Sequence, residues 1–137
     1  MTSTRPTIVQ VVLDTTDVRG LAEFYRQLFG LEYRDGDEPP ASADQDDKDW
    51  LVLRNPGGIQ LAFQEVDDLP LSTWPTADVP QQLHLDTTVP DVVTLDEQTK
   101  RALDLGAVLL FDRSDDEEEP LRVFGDPAGH PFCIFVA

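Results

Sequence analysis

The feature that most constrains the fold of this chain is a repeat. The string Gln81-Gln82-Leu83-His84-Leu85-Asp86-Thr87-Thr88-Val89-Pro90-Asp91 opens the second half and echoes Gln10-Val11-Val12-Leu13-Asp14-Thr15-Thr16-Asp17 near the start of the first. A chain of 137 residues that begins the same pattern twice has room for two similar halves and one site between them. Each half places an aspartate suited to cap a helix seven residues after a polar strand residue, Asp17 after Gln10 and Asp91 after His84. Aligning the Leu-Asp-Thr-Thr strings directly pairs Gln10 with Gln82 instead. A shift of two keeps every side chain on its own face of a strand, so both alignments lead to the same facing.

The periodicity supports the repeat. Residues 7–14 alternate and are rich in β-branched side chains, which predicts a strand with Val9, Val11 and Leu13 on one face and Ile8, Gln10, Val12 and Asp14 on the other. Leu21, Phe24 and Leu28 recur at helical spacing between Asp17 and Gly30, which predicts a helix over 18–29. Strands are expected at 31–34, 50–54 and 59–65, with a turn at Asn55-Pro56-Gly57-Gly58. Pro70, Pro75 and Pro80 punctuate 66–80, which has no sustained period and reads as a linker. The pattern then restarts: a strand at 83–89, a capping box at Thr94-Leu95-Asp96-Glu97 opening a helix that stops near Gly106, and strands at 108–111, 121–124 and 132–136. The expected organisation is a single domain over 1–137, with one module at about 7–65 and a second at about 81–137.

Parity turns Gln10, Gln60, His84 and Cys133 away from the more continuously apolar strand faces. Ile59, Leu61 and Phe63 are expected to cover one helix, leaving Gln60, Ala62 and Gln64 on the other side. Leu83 and Leu85 are set against the second helix, leaving Gln82, His84 and Asp86 opposite. A buried amide or imidazole without a partner costs about 1–3 kcal/mol, so this many polar groups on one face predict an open cleft and not a dry core.

Charge narrows the partners. With 27 acidic and 10 basic residues the formal net charge is −17, which repels nucleic acid and anionic membrane, and neither is an expected partner. Much of the charge lies in two tracts, Asp35 to Asp49 and Asp112 to Glu119. Neither spaces its carboxylates around a turn glycine as a calcium loop does, so both read as solvated loops. One cysteine, Cys133, permits no intrachain disulfide, and no apolar run approaches the ~18 residues of a membrane span, so a cytoplasmic protein is expected.

Several motifs now stand in order: Phe24-Tyr25-Arg26-Gln27-Leu28-Phe29-Gly30-Leu31, Trp74-Pro75, Gln82-Leu83-His84-Leu85-Asp86, Leu105-Gly106-Ala107 and Asp126-Pro127-Ala128-Gly129-His130-Pro131-Phe132-Cys133. Together they resemble the vicinal oxygen chelate superfamily, which includes glyoxalase I, bleomycin-resistance proteins and extradiol dioxygenases, and within it the glyoxalase-like proteins of unknown substrate. The resemblance implies an α+β fold of two βαβββ modules forming an open cup-shaped mixed sheet with helices on the convex face, usually as a homodimer. It also implies four metal-ligand positions, filled in the metal enzymes by His, Gln or Glu, and these fall on Gln10, Gln60, His84 and Cys133. Gln60 and Cys133 stand where those enzymes commonly carry glutamate, which removes the anionic ligands that hard divalent metals favour and the general base of glyoxalase chemistry. No cofactor is therefore favoured, and if a divalent metal is present those four residues are its ligands.

Three functional classes follow. The first is a small-molecule-binding protein, either a metal-free lyase or isomerase in which His84 with Asp86 moves a proton, with Gln10, Gln60, Gln82, Trp50, Trp74 and Cys133 lining the ligand. Trp50 and Trp74 suit a pocket wall or a core edge equally, Cys133 also suits a small buried hydrophobe, and His130 sits most simply in a turn. The second is sequestration of a drug or metabolite without chemistry, for which the acidic surface favours cationic ligands. The third is metal-dependent catalysis of glyoxalase type.

Overall fold

A computed structural model describes residues 4–137. The first half runs β1 (Gln10–Thr15), α1 (Val18–Phe29), β2 (Glu32–Tyr33), β3 (Trp50–Arg54) and β4 (Gln60–Glu65), and the second β5 (Leu85–Val89), α2 (Val92–Asp104), β6 (Val108–Arg113), β7 (Leu121–Gly125) and β8 (Pro131–Val136). Each half makes one four-stranded mixed sheet, ordered β1-β4-β3-β2 and β5-β8-β7-β6. The first strand of each half runs parallel to the last, and the remaining neighbours are antiparallel. The fold is α+β, two βαβββ units with no closed barrel.

Register explains where the core sits. In the first sheet Leu13, Phe63 and Leu51 lie side by side, as do Val11, Leu61 and Leu53, and five of these six are buried. In the second sheet Leu85, Phe132 and Phe124 form the matching row. Helix α1 buries Leu21, Phe24, Tyr25 and Leu28. It serves both sheets: the Tyr25 ring stacks on Phe63 at 5.9 Å, and Phe132 lies within 6.4 Å of the rings of Phe24, Tyr25, Phe29 and Phe124. Each such ring contributes roughly 1.5–3 kcal/mol by leaving water. This shared aromatic layer is the physical reason the halves hold together.

Polar contacts fix the same junction. The Tyr25 hydroxyl donates to Asp126 Oδ2 at 2.6 Å, and the amides of Ala128 and His130 donate to Asp126 Oδ1 at 2.8 and 3.0 Å. His130 Nε2 meets the Asp14 carbonyl at 2.6 Å. Arg101 of α2 donates to the carbonyls of Gln27 and Leu28 at 2.7 and 3.2 Å, satisfying groups that the end of α1 leaves open. Gly30 completes that end in the left-handed conformation, with φ at 67°, as its position in the sequence predicts.

Several local expectations need correcting. Strand β1 starts at Gln10 and not at residue 7, and Ile8 is 78% exposed. Ile59 and Leu83 do not cover helices: they precede β4 and β5 and are 46% and 41% exposed. Helix α2 begins at Val92 and its cap is Asp91, whose carboxylate accepts from the Thr94 amide at 2.7 Å, so Thr94 lies inside the helix and there is no capping box. The first acidic tract is not simply solvated. Asp37 is only 2% exposed, accepts from the Val52 amide at 2.9 Å and lies 3.1 Å from Arg34, while Arg19 binds Asp46 at 2.7 Å. Burying a carboxylate requires such partners, and the chain's few cations supply them. No helix among the described residues is long and apolar enough to cross a membrane.

Candidate functional site

The face of the second sheet turned away from the helices carries the more reactive set. Its rows, read from the register, are Asp86, Cys133, Val123 and Phe111, then Thr88, Phe135, Leu121 and Arg113. His84 stands one residue before β5 and shares the parity of Asp86. The sheet floors a cavity of about 260 Å³ bordered by Trp74, His84, Asp86, Glu119, Cys133 and Phe135 among others. The Trp74 ring meets Phe111 edge-on at 6.3 Å and closes one wall. Of the two tryptophans, Trp74 is therefore the pocket residue. Trp50 pairs with Gln64 on the first sheet and does not border this cavity.

His84 Nε2 lies 3.2 Å from Asp86 Oδ1, with both side chains about half exposed. The contact is close enough for Asp86 to stabilise positive charge on the imidazole, and it leaves Nδ1 on the other side of the ring. Cys133 is different in kind. Burial pushes its thiol up to about 11, and the charges of Asp86 and Glu119 add to that, so it stays protonated and acts as part of the apolar floor.

Gln10 and Gln60 face each other directly across the β1–β4 ladder, and the Gln60 amide donates to Gln10 Oε1 at 3.4 Å. Neither borders the cavity of His84 and Cys133. The four nominated positions thus fall as two pairs on two sheets. Gln82 lies with neither pair. It borders a larger cavity, of about 510 Å³, between the end of the first sheet, the linker and the 128–131 turn.

Four residues of the half-cup, Glu119, Leu121, Val123 and Phe135, were not nominated from sequence. Phe135 had a signal, since it shares the parity of Cys133, whereas Glu119 was hidden inside an acidic tract. Gln81 was likewise missed. It borders both cavities, and its Oε1 is shielded from solvent with no hydrogen-bond partner.

Residues 10–135 match the glyoxalase-like domain family. The chain belongs to that family. Solved structures of glyoxalase/bleomycin resistance/dioxygenase proteins share the fold of this glyoxalase-like chain. A glyoxalase/bleomycin resistance protein/dioxygenase family enzyme from Burkholderia phytofirmans PsJN is 16% identical, covers 96% of this chain and 98% of its own, and superposes with a TM-score of 0.70. The fosfomycin resistance protein FosX from Mesorhizobium loti is 13% identical over 98% of this chain and 94% of its own, with a TM-score of 0.67. A mutant FosX from Listeria monocytogenes, complexed with Mn(II) and a dihydroxypropylphosphonic acid, is 18% identical over 98% and 94%, with a TM-score of 0.68. At such identities the likeness speaks for the fold alone. No curated protein sequence matches the glyoxalase-like chain.

The four positions that the resemblance assigns to a metal can be set against the donors that a metal asks for. Among the described residues no three His, Cys, Asp or Glu side chains converge in a way that holds an ion. Of the four positions, two are neutral amides engaged with each other, and Cys133 is a thiol whose ionisation burial opposes. This set does not fit a hard divalent ion, which asks for carboxylate oxygens.

Proposed function

We propose that the glyoxalase-like chain binds a small organic molecule in the half-cup of the second sheet and, without a metal, moves a proton on it through His84, in a lyase or isomerase reaction. The observation that carries this reading is the 3.2 Å approach of His84 to Asp86 at the edge of a cavity with an apolar floor. In that arrangement Nδ1 takes a proton from a substrate carbon or hydroxyl, Asp86 stabilises the imidazolium that forms, and the same nitrogen returns the proton to the product. Glu119 and Asp86 favour a substrate that is neutral or cationic at the end nearest them. Leu121, Val123, Phe135 and the neutral Cys133 hold the apolar remainder, and Trp74 excludes water from one side.

The half-cup is open. A homodimer in which one copy's Gln10–Gln60 face covers the other's second sheet gives it a roof of two amides. The exposed apolar residues Ile8, Val9, Val12 and Phe111 are the surface such an arrangement removes from water. With a buried free cysteine, the protein suits a reducing compartment, and we place its work in the cytoplasm.

The test is a panel of small neutral and cationic carbonyl compounds incubated in heavy water with the wild-type protein and with His84→Ala. Deuterium incorporation or conversion, lost in His84→Ala, is the expected result. A ligand that binds but returns unchanged and unlabelled supports sequestration in place of catalysis. Stoichiometric metal in protein purified without chelator, absent from the mutant, overturns the metal-free reading.

A further inference from the structure

The larger cavity has the dimensions of a ligand site. Its volume of about 510 Å³ lies within the 300–1,000 Å³ or so that small-molecule sites occupy, whereas the half-cup is smaller. Val12, Leu69, Val79, Pro80 and Leu83 give it apolar walls. It is separate from the Gln10–Gln60 row, since Asp14 and Gln64 stand four residues further along their strands, about 13 Å away at strand rise.

Gln64 and Gln82 border this cavity with exposed amides and the Ser72 hydroxyl donates to the Val79 carbonyl, so the polar groups left to recognise a ligand away from solvent are acceptors. Asp14 contributes a partly buried carboxylate, and Gln81 a shielded carbonyl oxygen with no partner. A shielded acceptor without a donor is costly, so a ligand whose donor meets Oε1 when the Gln81 side chain turns into the cavity gains the hydrogen bond and relieves the cost together. His130, the one imidazole in the wall, is turned to the Asp14 carbonyl at 2.6 Å. An acidic acceptor and an orphaned neutral acceptor in an apolar chamber describe a ligand with an apolar body and a protonated primary or secondary amine. The chain's charge of −17 steers such a cation inward and turns carboxylates and phosphates away.

We propose that the cavity between the end of the first sheet, the linker and the 128–131 turn binds apolar organic ammonium ions, with Asp14 and Gln81 Oε1 as the recognising groups. The shape of the turn belongs to the site. Gly129 has a φ of 88°, and a Cβ there would stand 2.7 Å from Leu71 Cδ2, so glycine lets the linker close against the turn. The site stands whether or not His84 performs chemistry in the half-cup.

The experiment uses the full chain labelled with nitrogen-15, titrated with phenylbutylammonium, with phenylbutanol and phenylbutyrate as neutral and anionic partners of the same body. The expected result is saturable amide shifts at Leu69, Ser72, Leu83 and Gly129, with Asp86, Val123 and Phe135 unmoved. The alcohol should bind about tenfold more weakly and the carboxylate not at all, as expected for one partly desolvated ion pair. Asp14→Asn and Gln81→Leu should each weaken the amine by about five- to tenfold. Gln81→Leu should not lower the melting temperature, because it removes an acceptor that the free protein leaves unpaired, so its binding defect cannot be ascribed to misfolding. His84→Ala should bind the amine as wild type does, which separates this site from the proton-transfer site. The proposal is overturned if nothing saturates in the millimolar range, if the carboxylate binds as well as the amine, if the shifts centre on Asp86 and Phe135, or if neither Asp14→Asn nor Gln81→Leu weakens binding.

Discussion

Replacing Tyr25 by phenylalanine isolates the bond that ties the first helix to the second sheet. The ring is fully buried and keeps its stacking on Phe63 and its edge contact with Phe132, so the packing is unchanged and only the hydroxyl goes. Its partner, Asp126, is 4% exposed, and burial raises its carboxyl above the ordinary range. The Tyr25 bond, the His130 charge and the His130 and Ala128 amides oppose that rise. Removing the hydroxyl therefore raises the folded-state value further, while the unfolded chain keeps an ordinary carboxyl. A folded state that holds its proton more tightly than the unfolded one loses stability as pH climbs from the ordinary carboxylate range through the folded-state value. On the alkaline side of the folded-state value the mutant leaves a buried carboxylate short of a donor and should lose about 2–3 kcal/mol; on its acid side, where the group is neutral, it loses an ordinary hydrogen bond of about 1 kcal/mol. Urea unfolding of both proteins at a pH on each side, with unchanged m-values, reads the difference. An equal loss at both, or a larger one at low pH, would falsify the assignment of the bond to a charged Asp126.

Asp91→Ala should cost about 1 kcal/mol and Thr94→Ala much less, because Asp91 and not Thr94 caps α2; thermal melts of the pair decide. Arg101→Met should cost about 1–2 kcal/mol by uncovering the Gln27 and Leu28 carbonyls, and hydrogen exchange should rise at the end of α1 before it rises in the sheets. With its thiol pushed up to about 11, Cys133 should react with iodoacetamide at pH 8 far more slowly than a free cysteine, and Asp86→Asn should speed the reaction by removing a charge that disfavours the thiolate. Phe132→Ala should cost about 3–5 kcal/mol by opening the aromatic layer between the halves, measured by urea unfolding.

Much of the fold was legible because the repeat and the apolar periods report backbone geometry directly. The row of Leu13, Phe63 and Leu51 follows from alternation, and Gly30 from the need for a left-handed residue where a helix stops. Errors fell where local chemistry offers two answers. Asp91 and Thr94 both suit a cap, and the Asp91 carboxylate took the Thr94 amide. Ile59 and Leu83 fit the strand alternation but lie just beyond the strands, where the helices no longer reach. Asp37 looked like one more solvated acid because nothing in a charge run tells which member faces Arg34, Lys48 and the Val52 amide. The candidate site was half legible. Parity put His84, Asp86 and Cys133 on one face, but no local pattern says that Gln10 and Gln60 turn to each other, or that Glu119 lies near the thiol and not in open solvent.

The two halves share a scaffold but not a face, and that asymmetry says where chemistry has room. On the helix side both sheets present the same kind of row, Leu13-Phe63-Leu51 against Leu85-Phe132-Phe124, since α1 packs on both and punishes any polar substitution there. On the opposite side no helix packs, only the linker touches the sheets, and the rows diverge. The first sheet has two neutral glutamines that satisfy each other, whereas the second has an imidazole beside a carboxylate, a further carboxylate in Glu119 and a thiol held neutral between them. A pair of amides has no proton to give or take near neutral pH, so the first sheet can contribute shape and hydrogen bonds only. Proton transfer, if the chain performs it, belongs to His84 and Asp86. Exchanging Gln10 for histidine in a His84→Ala background therefore should not restore it, because Gln10 faces Gln60 and has no carboxylate across the ladder.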